Sequence, residues 1–391
     1  MSEPLYGTSG VHRSPIGPLS PPLIRASTSG QPDAETLRRM GSAECSGEFY
    51  QRMGHSNGRE FEGLVATLEQ TDGAVSFASG MAAMSAVLSA HLSSGDRVLI
   101  AEEIYGGTAA FAMHDLPRFG VAVGRFSALD SGSLQRALAD GPAPKLVVFE
   151  SPINPTLRVV DIRALAELAR GSGARVVFDG TFSPPPIQRV LELGCDLVVH
   201  SASKFFGGHS DVLAGVVAGP HELLAPIEQF RRRTGGLLAP DPAWLCLRSW
   251  PTLQLRLDAQ QAAALQVAEG LQEDVAAGRL AGVTYPGLPD HPDREIVQRQ
   301  MNGGGCVLAI ELPGGLPEVV PVLDRLRVIA RAASLGGVES LATVPAFTTH
   351  APLSPEQRQR AGISDGLMRV AIGLEGVDVL LGDLRQAIRG R

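Results

Sequence analysis

The chain has 391 residues, of which 44% are hydrophobic, and its formal net charge is −7 at pH 7. This length and apolar content predict two or three domains with a large core. The negative charge offers no field that would attract a nucleic acid or an anionic membrane, so we expect neither as a partner.

Residues 1–60 are rich in proline, glycine and serine, and they predict an arm rather than a folded domain. The chain starts without the basic and then apolar pattern of a signal peptide, and no stretch stays apolar for the ~18 residues that a membrane span needs. Cys45, Cys195, Cys246 and Cys306 lie far apart and lack the spacing of a metal site. We therefore expect a cytoplasmic protein with neither disulfides nor a metal.

Residues 61–240 are predicted to form the main domain. An amphipathic helix is predicted over 60–69, and short apolar runs then alternate with helix-like stretches. The runs cover residues 74–77, 97–100, 121–123, 146–149, 175–178, 197–199 and 214–217. This alternation predicts an α/β fold with a mainly parallel, seven-stranded type of sheet that helices cover on both faces.

Residues 241–391 are predicted to form a linking helical region, over about 241–278, and a smaller C-terminal α+β domain. Its predicted strands cover 306–310 and 368–372, and its predicted helices cover 316–329 and 377–388. The boundary between the domains is expected near 235–245. It follows a basic cluster at 231–233 that is predicted to end a helix.

Lys204, one of only two lysines in the chain, follows the apolar run 197–199. Arginine supplies charge, but it cannot lose its proton near neutrality and form an imine with an aldehyde, whereas lysine can once its pKa is lowered. We therefore predict that Lys204 is a Schiff-base lysine. A chance lysine on a loop is the alternative. Lys145, at the start of a predicted strand, is interpreted as a solvated residue.

Polar residues also follow other predicted strands, where ligands bind in an open parallel sheet. Asp179 ends a buried run, and a protonated pyridine nitrogen would stabilise its carboxylate; a cap or turn role is the alternative. Asn154 can donate a hydrogen bond to a phenolate oxygen. The turn at 79–81 can offer N–H groups to a phosphate, with Ser201 and Ser203 completing the site, although a plain helix cap explains this turn equally well.

Two further side chains suit a flat ligand and an amino acid. Tyr105 precedes two glycines, so its ring can cover a planar ligand and its hydroxyl can reach the reacting atoms; core packing is the alternative. Arg369 interrupts an apolar strand, and a buried guanidinium there would grip a carboxylate through two hydrogen bonds. An arginine on a solvated edge strand is the alternative.

Together these positions resemble the pyridoxal-phosphate-dependent (PLP-dependent) enzymes of Cys/Met metabolism, which include cystathionine γ-synthase, cystathionine γ-lyase, cystathionine β-lyase and methionine γ-lyase. The resemblance spans nearly the whole chain. The motifs that carry it are SASKFFGGHSD at 201–211, YGGT at 105–108, ESPINP at 150–155, SLGGVES at 334–340 and RVAIGLE at 369–375.

The resemblance implies fold type I, pyridoxal 5'-phosphate as cofactor, and roles for individual residues. It assigns Lys204 to the cofactor aldehyde, Asp179 to the ring nitrogen, Tyr105 to stacking on the ring, Ser79, Gly80, Met81, Ser201 and Ser203 to the phosphate, and Asn154, Ser334, Arg369 and Glu339 to the substrate. It also implies that Tyr50 and Arg52 on the arm reach the phosphate of a neighbouring subunit. A homodimer with shared active sites, paired into a homotetramer, follows.

Several positions depart from the family pattern. Residues 53–57 replace the usual Asn-Pro-Thr, Gly180 replaces an asparagine, and the arginine that follows Tyr-Gly-Gly-Thr in cystathionine γ-lyase is absent. Gly107 stands where methionine γ-lyase carries a cysteine. The first two changes are expected to lie near the pocket. The missing arginine argues against cystathionine as the substrate, and Gly107 argues against methionine.

The resulting prediction is PLP-dependent γ-elimination or γ-replacement on an amino acid of the homoserine or homocysteine type, with a specialised-pathway substrate. Lys204 would remove the α-proton, and Tyr105 would assist proton transfer. The alternatives are a β-lyase acting on cysteine-type thioethers, an aminotransferase, and a PLP-binding protein without catalytic activity.

Overall fold

The main sheet confirms the predicted α/β class. The computed structural model describes residues 19–42, 47–351 and 353–390, and within them seven strands form this sheet in the order β1-β7-β6-β5-β4-β2-β3. The strands are β1 Gly73–Phe77, β2 Arg97–Ala101, β3 Ala122–Phe126, β4 Leu146–Glu150, β5 Arg175–Asp179, β6 Leu197–His200 and β7 Gly215–Gly219. Strands β3, β2, β4, β5 and β6 run parallel, and β7 is antiparallel to both of its neighbours. Each apolar run predicted between 74 and 217 belongs to one of these strands.

Helices cover the main sheet. They are α1 Ala34–Gly41, α2 Ser56–Glu69, α3 Gly80–His91, α4 Gly106–Ala110, α5 Ser131–Ala139, α6 Ile162–Gly171 and α7 His221–Thr234. Helix α2 begins four residues earlier than predicted because the side chain of His55 caps it by accepting from the Gly58 N–H. Helix α1, inside the expected arm, was not predicted. Residues 231–233 end α7 as predicted.

Shorter turns and the second sheet complete the chain. Single 3₁₀ turns cover Gln51–Met53, Leu116–Phe119, Leu191–Leu193, Trp250–Thr252 and Pro345–Phe347, and a π-helical turn covers Phe111–Asp115. The C-terminal helices are α8 Pro240–Ser249, α9 Leu253–Gly270, α10 Gln272–Ala276, α11 Arg294–Gln300, α12 Leu316–Arg325, α13 Pro355–Arg360 and α14 Val377–Arg389. The second sheet has the strand order β10-β11-β12-β9-β8. Its strands are β8 Gly282–Thr284, β9 Val307–Glu311, β10 Ala330–Arg331, β11 Leu341–Thr343 and β12 Leu367–Ala371.

Two of the C-terminal predictions need correction. The helical region predicted over 241–278 is divided into α8, α9 and α10, with Pro251 in the turn between the first two. The helix predicted to reach residue 329 ends at Arg325. The carboxylate of Asp383 accepts the N–H groups of residues 327–329 and so holds them outside the helix.

Two clusters of buried apolar residues hold the chain together, one around the main sheet and one between the second sheet and helices α9, α12 and α14. Cys195, Cys246 and Cys306 are buried free thiols, whereas Cys45 lies outside the described residues. Among the described helices, none combines the length and the apolar content that crossing a bilayer requires.

Candidate active site

A cavity of about 360 Å³ lies beyond the carboxyl ends of β4, β5 and β6 and is closed by residues of the C-terminal domain. This is where an open parallel sheet binds its ligands. The sequence-predicted residues that line it are Ser79, Gly80, Met81, Tyr105, Asn154, Asp179, Ser201, Ser203, Lys204, Ser334 and Arg369. Residues more than 280 positions apart in sequence therefore line one cavity.

Lys204 reaches across this cavity from the turn that follows β6. Its Nζ donates a hydrogen bond of 2.7 Å to Oγ of Ser334. Burial, and then the positive charge of Arg369, lower the pKa of the Lys204 amine. An amine that loses its proton more readily is a better nucleophile and a better base, so the environment of Lys204 suits imine formation and proton transfer.

Arg369 lies in β12, between β11 and β9, and is buried. Its guanidinium donates to Oδ1 of Asn154 at 2.9 Å and to the carbonyl oxygen of Ser334 at 2.7 Å. Its Nε has no hydrogen-bond partner in the described part of the chain, and burial lowers the pKa of Arg369 to about 10. The solvated edge-strand alternative is therefore wrong. A buried cation with an unused N–H fits an anionic ligand such as a carboxylate.

Asp179 and Glu150 end adjacent parallel strands and lie directly opposite each other in the register. Burial raises the pKa of Asp179, whose carboxylate accepts a 3.1 Å hydrogen bond from the backbone N–H of Thr181. Burial, and then the charge of Asp179, raise the pKa of Glu150 to about 8, although the backbone N–H groups of Tyr105 and Asn154 donate to it. Neither carboxylate forms an ion pair within the described residues, so a cationic ring nitrogen here would offset the cost of their burial.

The turn before α3 is built to approach an anion closely. Oγ of Ser79 caps the helix by accepting from the Ala82 N–H at 3.1 Å, and the first N–H groups of the helix lie at the same end. A β-carbon on Gly80 would lie 2.8 Å from Cβ of Ser201, so only glycine lets these two turns meet. The hydroxyl of Ser203 lines the cavity but is already paired with the backbone of Ala214. Ser79 thus caps the helix and also faces the cavity.

Tyr105 lies at the edge of the cavity with 42% of its surface exposed, so the core-packing alternative is wrong. A β-carbon on Gly107 would lie 2.6 Å from Cε1 of Tyr105 and 3.0 Å from Sδ of Met81. The absence of a side chain at residue 107 therefore makes room for the tyrosine ring. The ring is available to cover a planar ligand.

Three predicted residues do not line the cavity. Arg52 donates to the carbonyl oxygen of Arg232 at 2.6 Å, and its guanidinium lies over the ring of Tyr50. Glu339 accepts a hydrogen bond from the hydroxyl of Ser210, on the loop that follows Lys204. The roles of Tyr50 and Arg52 concern a neighbouring subunit and remain predictions.

Other lining residues received no role from the sequence. They are Met84, Thr108, Glu150, Pro152, Thr181, Phe182, Val199, Leu213, Ala333, Leu335 and Thr349. Glu150 had a usable signal, because it ends a buried strand just as Asp179 does. Thr349 comes from an irregular segment, and no sequence pattern indicates its position. Of the departures from the family pattern, Gly180 lies between two lining residues, whereas residues 53–57 do not line the cavity.

Known proteins provide an independent comparison. The family model described as Cys/Met metabolism PLP-dependent enzyme matches residues 8–389. The chain is 38% identical to an L-methionine gamma-lyase of Pseudomonas putida, over 99% of this chain and 98% of that protein. It is 38% identical to a chloroplastic cystathionine beta-lyase of Mimosa pudica, over 96% and 79%. A crystal structure of cystathionine gamma synthase from Xanthomonas oryzae pv. oryzae superposes with a TM-score of 0.88 at 36% identity, over 95% of this chain and 92% of that one.

Proposed function

This chain belongs to the Cys/Met metabolism PLP-dependent enzyme family, and from that premise we propose that it catalyses γ-elimination or γ-replacement on an amino acid of the homoserine or homocysteine type. One observation carries the proposal. The Lys204 amine, 2.7 Å from the hydroxyl of Ser334, shares a cavity with the Asp179 carboxylate and the Arg369 guanidinium. These groups suit, in turn, an aldehyde, a ring nitrogen and a substrate carboxylate.

The residues of the main sheet would hold the cofactor. Lys204 would bind its aldehyde, Asp179 its ring nitrogen and Tyr105 its ring face, while residues 79–81, Ser201 and Ser203 would surround its phosphate. When bound, pyridoxal phosphate supplies an electron sink for the charge that develops at the substrate Cα. The environment of Asp179 supports this assignment. Its carboxylate is buried without an ion-pair partner among the described residues, and a cationic ring nitrogen would be such a partner.

The residues around Arg369 would hold the substrate. Its guanidinium would bind the α-carboxylate together with Asn154, which already contacts it at 2.9 Å. The amine of Lys204, with its lowered pKa, would take the proton from Cα and return it elsewhere on the substrate. Tyr105, at the edge of the cavity, would transfer a proton to the leaving group. Between the two proton transfers, the hydroxyl of Ser334 would accept a hydrogen bond from the Lys204 amine and hold it in place.

The closest rival is β-elimination on a cysteine-type thioether by the same residues. It is favoured by the 38% identity to a protein named cystathionine beta-lyase, equal to the identity to the γ-lyase. The departures at Gly107 and after Thr108 support a substrate other than methionine or cystathionine, for which a specialised pathway is the natural source. An aminotransferase or a PLP-binding protein without activity would use the same cofactor site.

A product screen tests the proposal. Purified protein with pyridoxal phosphate would be incubated with O-acetylhomoserine, O-succinylhomoserine, cystathionine, homocysteine and cysteine, and the products identified by mass spectrometry. We expect a four-carbon 2-oxo acid with ammonia, or a γ-substituted amino acid when a thiol is added. Pyruvate would establish the β-lyase instead, and conversion of the cofactor to its amine without ammonia would establish an aminotransferase. A bound chromophore that no amino acid perturbs would indicate loss of catalysis.

The arm supports a second proposal, a homodimer with shared sites that pairs into a tetramer. Tyr50 and Arg52 do not reach the cavity of their own chain, and Tyr50 is 45% exposed. Mixing a Lys204→Ala chain with an Arg52→Ala chain tests this directly. If the sites are shared, mixed dimers regain one complete site and some activity; if each chain is complete alone, mixing restores nothing.

A further inference from the structure

A buried pair of titratable side chains lies beside the cavity without lining it. Glu69 ends α2 and His200 ends β6, and Oε1 of the glutamate contacts Nε2 of the histidine at 2.5 Å. The two residues are 1% and 2% exposed. Within the described residues neither Oε2 of Glu69 nor Nδ1 of His200 has a hydrogen-bond partner. Such a pair is costly to bury, and the proposed chemistry gives it no part.

The register of the sheet places this pair behind Asp179. Asp179 pairs with Val199, the residue before His200, and both Asp179 and Val199 line the cavity. Because side chains alternate along a strand, His200 points to the opposite face of the sheet. The imidazole therefore does not line the cavity, and Asp179 is the lining carboxylate on which its charge acts. In the protonated form its charge favours the ionised carboxylate and lowers the pKa of Asp179, against the effect of burial.

Gly180 allows the imidazole to come this close. A β-carbon at residue 180 would lie 2.6 Å from Cε1 and 3.1 Å from Nδ1 of His200. Distances below 3.0 Å are not tolerated, so a larger residue at 180 would force the ring, the Val198 side chain or the local backbone to shift. The edge of His200 that carries the unpaired Nδ1 thus lies against the backbone next to Asp179.

Few charged or titratable residues surround the imidazole of His200. Glu69 faces it from α2, and Asp179 lies beside it on β5, with Glu150 on β4 coupled to Asp179. Cys195, just before β6, lies within the field of Glu69. The neighbours from β7 and from the loop after Lys204 are uncharged: Val216 pairs with His200 in the sheet, and the ring of Phe206 lies 5.2 Å away, edge to face. His91 is the titratable residue of α3, and it contacts the carbonyl oxygen of Leu223 instead.

We propose that Glu69 and His200 form a positioning pair that holds a positive charge behind Asp179 and keeps its carboxylate ionised for the cofactor ring nitrogen, and that Gly180 makes this approach possible. The carboxylate of Glu69 faces the imidazole from α2 and contacts its Nε2. The inference rests on the proposed function, because it assumes that Asp179 meets a cationic ring. Neither Glu69 nor His200 lines the cavity, so both are positioning residues.

The test measures cofactor binding and colour rather than turnover alone. His200→Gln and Glu69→Gln remove the charge at similar size, and Gly180→Ala displaces the ring. We expect each to weaken binding of pyridoxal phosphate to the apoprotein about tenfold, the change that one pKa unit represents. The pH at which the visible absorption of the bound cofactor changes should also shift. His291→Gln is the matched control, since His291 is a buried histidine beside Asp293 that does not line the cavity; it should leave both readouts unchanged.

A double variant decides whether His200 acts through Asp179. In an Asp179→Asn background, His200→Gln should cause no further loss of affinity. An equal loss with and without Asp179 would overturn the inference, as would unchanged affinity and spectra in all three single variants. If circular dichroism shows that His200→Gln does not fold, Glu69→Gln and Gly180→Ala can be compared with and without Asp179→Asn in the same way. Wild-type protein that binds no pyridoxal phosphate would contradict the proposed function itself, which is a different and separately visible outcome.

Discussion

The two sides of the cavity are built by different means. On the main-sheet side, Asp179 and Glu150 end adjacent strands in register, and backbone N–H groups donate to both carboxylates. On the C-terminal side, Ser334 has a φ of 95°, and Arg369 reaches Asn154 through a 2.9 Å side-chain hydrogen bond. Arg369 is also fixed by strand register, in β12, but its guanidinium suits a carboxylate, whereas the carboxylates at the ends of β4 and β5 suit a cationic ring nitrogen. We therefore expect the main-sheet side to govern cofactor binding and the C-terminal side to govern the substrate.

The largest effect should come from Lys204, which starts on the main-sheet side and contacts Ser334 on the other. Both Lys204→Ala and Lys204→Arg should lower kcat by at least about 10²- to 10⁴-fold, because neither provides an amine that can act as nucleophile and base. Borohydride reduction followed by mass spectrometry should find pyridoxal phosphate attached to wild-type protein but not to the variants. Lys145→Ala is the control, since that lysine is mostly exposed and pairs with Asp96 at 2.9 Å. Full activity in Lys204→Ala would refute the proposed chemistry.

A smaller effect is expected from Arg369 on the C-terminal side. Arg369→Ala should raise KM about 10- to 100-fold, the loss of one or two hydrogen bonds to a charged group. The affinity for pyridoxal phosphate should change little, and steady-state kinetics with a separate cofactor titration can distinguish the two. Arg360→Ala, an exposed arginine in α13, serves as the control. A variant that loses the cofactor while keeping its KM would break the division between the two sides.

The sequence predicts the main-sheet side of the cavity better than the C-terminal side. The family is confirmed, and the apolar runs located the strands of the main sheet, of which β5 ends at Asp179 and β6 leads into the turn that carries Lys204. Glu150 has the same strand-end signal and was overlooked. The left-handed backbone of Ser334 and the position of Thr349 depend on tertiary packing, which leaves no periodic pattern in the sequence.

The short strands of the second sheet were missed for a related reason. Strands β8, β10 and β11 have two or three residues each, too few for an alternation to appear. Helix α1 lies in a stretch whose composition indicates an arm, yet Asp33 caps it by accepting from the Thr36 N–H. The roles of Tyr50 and Arg52 require a second subunit, so they remain predictions.

On the main-sheet side, stability without cofactor should depend on pH. The pKa of Glu150 is raised from 4.5 to about 8, so the folded apoprotein keeps a proton that the unfolded chain releases. Stability should therefore fall as pH rises between these values, by up to about 1.4 kcal/mol per pH unit. Denaturant unfolding of the apoprotein from pH 5 to 9 measures this slope. Asp179→Asn removes a neighbouring negative charge and should flatten it; an identical slope would show that Asp179 does not raise the pKa of Glu150.

The smallest effect is expected at Ser334 on the C-terminal side, where two substitutions distinguish the contribution of the strained backbone from that of the hydroxyl. Its φ of 95° is strained for any residue except glycine, whereas its Oγ accepts from Lys204 at 2.7 Å. Ser334→Gly and Ser334→Ala both remove the hydroxyl that accepts from the Lys204 amine. Both should therefore lower kcat to a similar extent, because the amine loses the hydrogen bond that orients it. Only Ser334→Gly relieves the backbone, and it should be about 1 kcal/mol more stable than Ser334→Ala in urea unfolding. Equal stabilities would mean that the surrounding chain relaxes freely at residue 334, and the C-terminal side would then be no more strained than the ends of the parallel strands.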